Sequence, residues 1–69
     1  MKNIQITTEY IKLGQFLKFT GIIGSGSYEK EYLLEHKVYV NSELEQRRGR
    51  KIYPDYIIRT ENQEYKVIK

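Results

Sequence analysis

The chain has 69 residues, 12 basic and 9 acidic side chains, a net charge of +3 and no cysteine. This length predicts one small domain over residues 1–69, which buries about 60% of its unfolded surface; the lack of cysteine excludes disulfides and thiolate metal sites. With one histidine, no apolar run near ~18 residues and no signal-peptide pattern, we expect no metal, cofactor or membrane partner, and a cytoplasmic protein.

The first residues predict a strand. Asn3–Thr7 alternates polar and apolar side chains, which places Ile4 and Ile6 on one face. This is the period of a half-buried strand.

A short amphipathic helix follows this strand, because apolar side chains recur at helical spacing. Gly14 is a candidate cap for the helix and Gly21 a candidate stop. Lys18 lies off the apolar stripe, towards solvent or a ligand. The stripe itself consists of Leu13, Phe16, Leu17 and Thr20.

A loop of glycine and serine, residues 24–27, precedes a second helix predicted from about Ser27 to Glu35. Ser25 or Ser27 can cap this helix, whose first amide N–H groups could donate hydrogen bonds to a phosphate oxygen. The loop lacks the lysine-serine ending of a nucleotide-binding loop, so we exclude ATP binding. The buried side of the helix is predicted to carry Tyr32 and Leu33. Its outward side is predicted to carry Lys30 and Lys37.

Glu29 and His36 extend the buried stripe of this helix at its two ends, which is unusual for a core face. A structural role at the helix C-terminus is the favoured interpretation of His36, either bonding the last carbonyls or packing on a turn. A catalytic role would need a nucleophile or carboxylate partner, and the sequence shows no such constellation.

The second half of the chain predicts short strands joined by turns. β-Branched content and alternation indicate a strand at Lys37–Asn41 that turns at Asn41–Ser42. The remaining elements are a brief return arm at Glu43–Glu45, a turn at Pro54–Asp55, and a hairpin of Tyr56–Thr60 with Tyr65–Ile68. The whole is an α+β fold.

The positive charge is concentrated in the pentapeptide Arg47–Lys51, which holds four basic residues and no acidic one. Without it, eight basic and nine acidic residues remain and the net charge is −1. Such a cluster repels itself, so a polyanionic partner is the favoured interpretation, and a solvated turn is the alternative. Gly49 lets the backbone of this segment bend.

The order of these motifs resembles the RNA-binding domain named after ribosomal small-subunit protein S-four, the αL-motif domain. It is most similar to the stand-alone bacterial YaaA-like type. Glu29 stands where many members have a small residue, and Ser42 where a glycine often follows the asparagine. The resemblance covers about residues 9–58 and rests on Ile11–Lys18, Ser25–Ser27 before a helix with Lys30, Val38–Asn41 and Arg47–Lys51.

This resemblance implies two short packed helices against a small antiparallel sheet, with the N-terminal strand added. It also implies a non-catalytic protein that clamps structured RNA, above all ribosomal RNA, with a role in ribosome assembly or function and the ribosomal particle as a further partner. Asn41 could bond a base edge or simply hold its turn. The side chains expected to contact RNA are Lys18, Lys30, Lys37, Asn41, Arg47, Arg48, Arg50 and Lys51.

Two other classes of function remain as alternatives. A protein-interaction adaptor could use the basic patch on an acidic surface, or pair an exposed strand edge with a partner. A hydrolase or nuclease is disfavoured, because no paired carboxylates or nucleophile–base pair appear in the sequence. Whichever function applies, we expect a monomer.

Overall fold

The computed structural model describes residues 1–24 and 28–69 and has the predicted α+β class. None of the helices in these residues is long and apolar enough to span a bilayer. Along the described chain the elements are β1 (Lys2–Gln5), β2 (Ile11–Lys12), α1 (Leu13–Phe19), α2 (Glu29–Glu35), β3 (Tyr39–Val40), β4 (Glu43–Leu44), β5 (Lys51–Ile52), β6 (Ile57–Arg59) and β7 (Glu64–Ile68).

Five of the strands form one sheet in the order β1-β7-β6-β3-β4. The predicted hairpin is confirmed as β6 and β7, with Ile58 opposite Tyr65. The predicted strand at 37–41 and its return arm are confirmed as β3 and β4, each shorter than expected. The N-terminal strand is also confirmed. It runs parallel to β7, with Ile4 opposite Val67, so both ends of the chain lie at one edge of the sheet.

A second, two-stranded ladder joins β2 to β5 in antiparallel register, with Ile11 opposite Ile52 and Lys12 opposite Lys51. The sequence did not predict this ladder, because two residues are too few to show an alternating pattern. It brings the start of α1 next to the end of the basic pentapeptide.

The core lies between the helices and the five-stranded sheet. The apolar stripe of α1 is confirmed, and the Phe16 ring meets the Tyr65 ring edge-on with centroids 5.4 Å apart. Leu33 is the buried residue of α2, while Tyr32 is only half-buried. The buried apolar set is Ile6, Leu13, Phe16, Leu17, Leu33, Val38, Val40, Ile52, Ile58, Tyr65 and Val67.

The helix ends differ in part from those predicted. Gly14 does not cap α1: Lys12 is the N-cap, and Gly14 lies buried in the first turn. Gly21 does end the helix, with φ 79° and its N–H donated to the carbonyl of Lys18 at 3.0 Å. Helix α2 begins at Glu29 after an N-cap at Tyr28 that makes no side-chain capping bond. The candidate caps and phosphate-binding amides at residues 25–27 lie outside the described residues.

Replacing Leu17 by alanine should destabilise the domain by about 2–5 kcal/mol, because the side chain is fully buried and its loss leaves a cavity. Leu34→Ala is the matched control. Leu34 lies on α2 with 62% of its surface exposed, and its truncation should cost less than about 0.5 kcal/mol. Urea unfolding of both variants measures the difference, and equal losses would contradict the described packing.

Candidate functional site

The segment Arg47–Lys51, called the basic loop below, is bonded to the first turn of α1. The backbone N–H of Leu13 donates to the carbonyl of Arg50 at 2.8 Å, and that of Gly14 donates to the carbonyl of Arg48 at 2.9 Å. The first N–H groups of a helix have no partner within the helix. The loop carbonyls satisfy two of them, and this fixes the backbone of the loop.

A buried carboxylate lies directly before the basic loop. Glu45 is 5% exposed, and its Oε2 accepts the backbone N–H and the Nε–H of Arg47, both at 3.0 Å. Its Oε1 accepts Nη2–H of Arg47 at 3.1 Å and Nη1–H of Arg50 at 2.7 Å. Hydrogen bonds from Arg47 and Arg50 lower the pKa of Glu45 to about 2, although burial acts in the opposite direction.

The same bonds act on the two arginines. Hydrogen bonding to Glu45 raises the pKa of Arg47 and of Arg50, so both remain fully charged. The Arg50 side chain is only 23% exposed, whereas that of Arg47 is 77% exposed. Arg47 can therefore reach a ligand while it stays bonded to Glu45, and Arg50 is largely enclosed.

Among the described residues, no carboxylate lies within ion-pair distance of the other two cations of the basic loop. Arg48 is exposed and forms no ion pair within residues 1–24 and 28–69. The ammonium of Lys51 lies 4.9 Å from the centroid of the Tyr10 ring, a cation–π contact. Along the basic loop, the two arginines paired with Glu45, Arg47 and Arg50, thus alternate with Arg48 and Lys51.

An open depression of about 380 Å³ joins the basic loop to α2. It is lined by Lys30, Gln46, Arg47, Arg48 and Gly49, and we call it the basic depression. No acidic side chain belongs to this lining set. Of the predicted RNA-contacting residues, the structure brings Lys30, Arg47 and Arg48 together here.

Lys18 is engaged by an acidic residue instead. Its Nζ lies 2.6 Å from Oε2 of Glu29, whose side chain is only 18% exposed. Glu29 packs against Gly14, where a Cβ would lie 2.5 Å from Oε1 of the carboxylate. This explains how an acidic residue sits on the buried stripe of α2: a glycine leaves room for it, and a lysine neutralises it.

The remaining predicted residues lie outside the lining of the basic depression. Asn41 holds its turn, because its Oδ1 accepts the N–H of Ile57 at 2.9 Å. Both Asn41 and Ser42 have positive φ, 50° and 72°, as a tight hairpin turn requires. Lys37 is exposed just after α2. The RNA contacts expected of all eight residues, those in the basic depression included, stay predictions.

The setting of His36 agrees with one of the two structural roles expected, packing on a turn. Its Nδ1 lies 2.9 Å from Oε1 of Glu61, in the loop between β6 and β7, and its ring stacks on Tyr32 with centroids 4.4 Å apart. The side chain therefore ties the end of α2 to the hairpin loop rather than bonding the last helix carbonyls.

Two residues of the site, Glu45 and Gln46, were not predicted. The available signal was an acidic residue two positions before a basic run, a spacing at which a carboxylate can reach the following backbone N–H groups. The sequence instead placed Glu45 in an exposed return arm.

The comparisons with known proteins give a family match and a similar protein. A family model described as "S4 domain" matches residues 4–68. A protein of Bacillus subtilis (strain 168) named "Probable ribosome maturation protein RlbA" is 50% identical over 58 residues, which cover 84% of this chain and 82% of that protein. No solved structure matches.

The pKa of Glu45 gives a prediction about acid stability. Because the folded-state value of about 2 lies below the ordinary 4.5, the ionised carboxylate stabilises the fold fully above pH 4.5. This contribution is lost as pH falls from 4.5 to 2, and such a depression corresponds to about 3 kcal/mol. Glu45→Gln should therefore be less stable than wild type by about that amount at pH 7, with the gap closing near pH 2.

Urea unfolding of both proteins at pH 7, 4.5, 3 and 2 measures this gap. Glu43→Gln is the matched control, because Glu43 is 75% exposed and its carboxylate lies 3.9 Å from Arg50. An exposed ion pair of this kind contributes less than about 0.5 kcal/mol at pH 7. A gap for Glu45→Gln that stays constant with pH would contradict the assignment.

Proposed function

The chain belongs to the S4-domain family, and from that membership we propose that it is a non-catalytic protein that holds the phosphates of a structured RNA. One observation carries the proposal: Lys30 of α2 and Arg47 and Arg48 of the basic loop line the same open depression. Cations from two separate elements converge there, and the lining set contains no carboxylate.

Phosphate is the ligand that suits this depression. The planar guanidinium of arginine can donate two parallel hydrogen bonds to one phosphate, and the ammonium of Lys30 adds a point charge. The loop backbone is already fixed by its bonds to α1. Little backbone order is then lost on binding, which favours recognition of a folded RNA by its shape.

Ribosomal RNA is the target we propose, with a role in ribosome maturation. The support is the name of the Bacillus subtilis relative, a probable ribosome maturation protein that aligns with 84% of this chain. Both chains are of similar length, since the alignment also covers 82% of the relative. The alignment therefore spans most of both chains.

We expect no catalytic turnover of RNA or nucleotides. His36, the single histidine, is bonded to Glu61 and stacked on Tyr32, away from the residues that line the basic depression. Labelled ribosomal RNA incubated with purified protein should stay intact on a denaturing gel. Cleavage that disappears in the His36→Ala variant would contradict this expectation.

Binding to a structured ribosomal RNA fragment should weaken steeply as salt rises, because each phosphate contact releases condensed counterions. Four to six contacts imply a log–log slope of about −3 to −5. Arg48→Ala and Lys30→Ala should each flatten the slope by about one unit and weaken binding to many RNA sequences alike. Titrations of affinity against salt, with wild type and each variant, measure these slopes.

Lys66→Ala is the matched control for that titration, because it removes one positive charge from β7, outside the basic depression. Its slope should stay close to that of wild type. If Arg48→Ala and Lys30→Ala also leave slope and affinity unchanged, the basic loop is a solvated turn. Capture of acidic proteins in place of RNA would then favour the adaptor alternative.

A further inference from the structure

Glu45 presents an electrostatic contradiction if the basic loop binds RNA. A carboxylate beside a phosphate site repels the ligand, so its removal should tighten binding. Yet Glu45 is 5% exposed and accepts hydrogen bonds from two of the arginines that supply the positive charge. Burying a carboxylate costs desolvation free energy, which the hydrogen bonds from Arg47 and Arg50 offset, so the role of Glu45 at an anion-binding site lies in the arginines that it holds.

We propose that Glu45 is a positioning residue, which holds the guanidinium of Arg47 in the orientation that receives an RNA phosphate. The inference rests on the proposed function and deepens it. The ligand of Arg47 is the phosphodiester group of the RNA backbone, bound in the basic depression. Glu45 touches no RNA atom and acts through Arg47.

The geometry of Arg47 supports this role. A guanidinium has five N–H donors, and Arg47 gives Nε–H and one Nη2–H to the two oxygens of Glu45, at 3.0 and 3.1 Å. This side-on pairing leaves an Nη1 hydrogen and the outer Nη2 hydrogen unused by Glu45. These two hydrogens point the same way and form the end-on edge of the guanidinium. That edge can donate two parallel bonds to a phosphate. The side chain is 77% exposed, so this edge is accessible.

Arg50 completes the arrangement from the other side. Its Nη1 donates to Oε1 of Glu45 at 2.7 Å, the oxygen that also accepts Nη2–H of Arg47. The Arg50 backbone carbonyl is bonded to the N–H of Leu13. The carboxylate is thus clamped to an enclosed arginine whose backbone is fixed on α1, and it transmits that fixed position to Arg47.

The alternative roles of Glu45 predict opposite signs for one substitution. Glu45→Gln keeps the size of the side chain and removes its negative charge. If Glu45 only tunes the local field, the variant should bind RNA more tightly. If Glu45 positions Arg47, the variant should bind more weakly in spite of the favourable change in charge, because binding must then order a mobile arginine.

Glu43→Gln is the matched control for the charge. Glu43 lies two residues away. Together with Glu45 it lines a second depression, which is distinct from the basic depression, and among the described residues it accepts no hydrogen bond from either arginine. The variant makes the same change in net charge. We expect it to bind a ribosomal RNA hairpin up to about threefold more tightly. Glu45→Gln should bind the same hairpin about three- to tenfold more weakly, the cost of ordering one arginine side chain.

A double-mutant cycle separates positioning from a loss of folding. Arg47→Lys keeps the charge of residue 47 but lacks the fork, so it should lose about as much affinity as Glu45→Gln while Glu45 stays intact. Adding Glu45→Gln to Arg47→Lys should then cause little further loss of affinity, because both changes remove the same pairing of Glu45 with the Arg47 guanidinium. Additive losses, or wild-type affinity in Arg47→Lys, would overturn the proposal.

The free protein offers a readout that does not involve RNA. The hydrogen-bonded Nε–H of Arg47 should give a protected NMR cross-peak at neutral pH, and this peak should be lost in Glu45→Gln while the backbone amide spectrum stays folded. A Glu45→Gln variant that binds RNA as tightly as Glu43→Gln would refute the positioning role while wild-type binding remains. Failure of wild type itself to bind RNA would instead refute the proposed function.

Discussion

The bonds between the basic loop and the first turn of α1 hold the fold and the candidate site in one arrangement. The carbonyls of Arg48 and Arg50 accept hydrogen bonds from the N–H groups of Gly14 and Leu13, so the loop satisfies two N–H groups at the start of the helix. These bonds continue the ladder in which Lys12 pairs with Lys51. A segment that repels itself is therefore fixed through its backbone, while the side chains of Arg47 and Arg48 remain exposed.

Two acidic residues compensate part of the positive charge, and each does so from a protected position. Glu45 forms ion pairs with Arg47 and Arg50, while Glu29 forms an ion pair with Lys18. Ionised Glu45 stabilises the fold, because its hydrogen bonds hold its pKa at about 2 in spite of burial. The two carboxylates also determine which cations are held and which, such as Arg48, remain exposed.

Periodic patterns allowed much of the fold to be predicted. The stripe of Leu13, Phe16 and Leu17, the turn at Asn41–Ser42 and the C-terminal hairpin all follow from local sequence. The ladder of β2 with β5 does not, because strands of two residues carry no period. The parallel pairing of β1 with β7 could not be predicted either, since it depends on contacts between opposite ends of the chain.

The candidate site was predictable only as a list of cations, because the arrangement of those cations depends on contacts that a sequence pattern does not contain. Gly14 shows why. Its N–H is bonded to the carbonyl of Arg48, and the space left by its missing side chain is filled by Glu29. Lys30 follows Glu29 directly, so the packing of α2 on this glycine brings Lys30 to the depression that Arg48 also lines. In the sequence Gly14 looked like a helix cap. In the fold its N–H is bonded to the basic loop and its missing side chain leaves room for the Glu29 carboxylate, so a side chain at this position would displace that carboxylate.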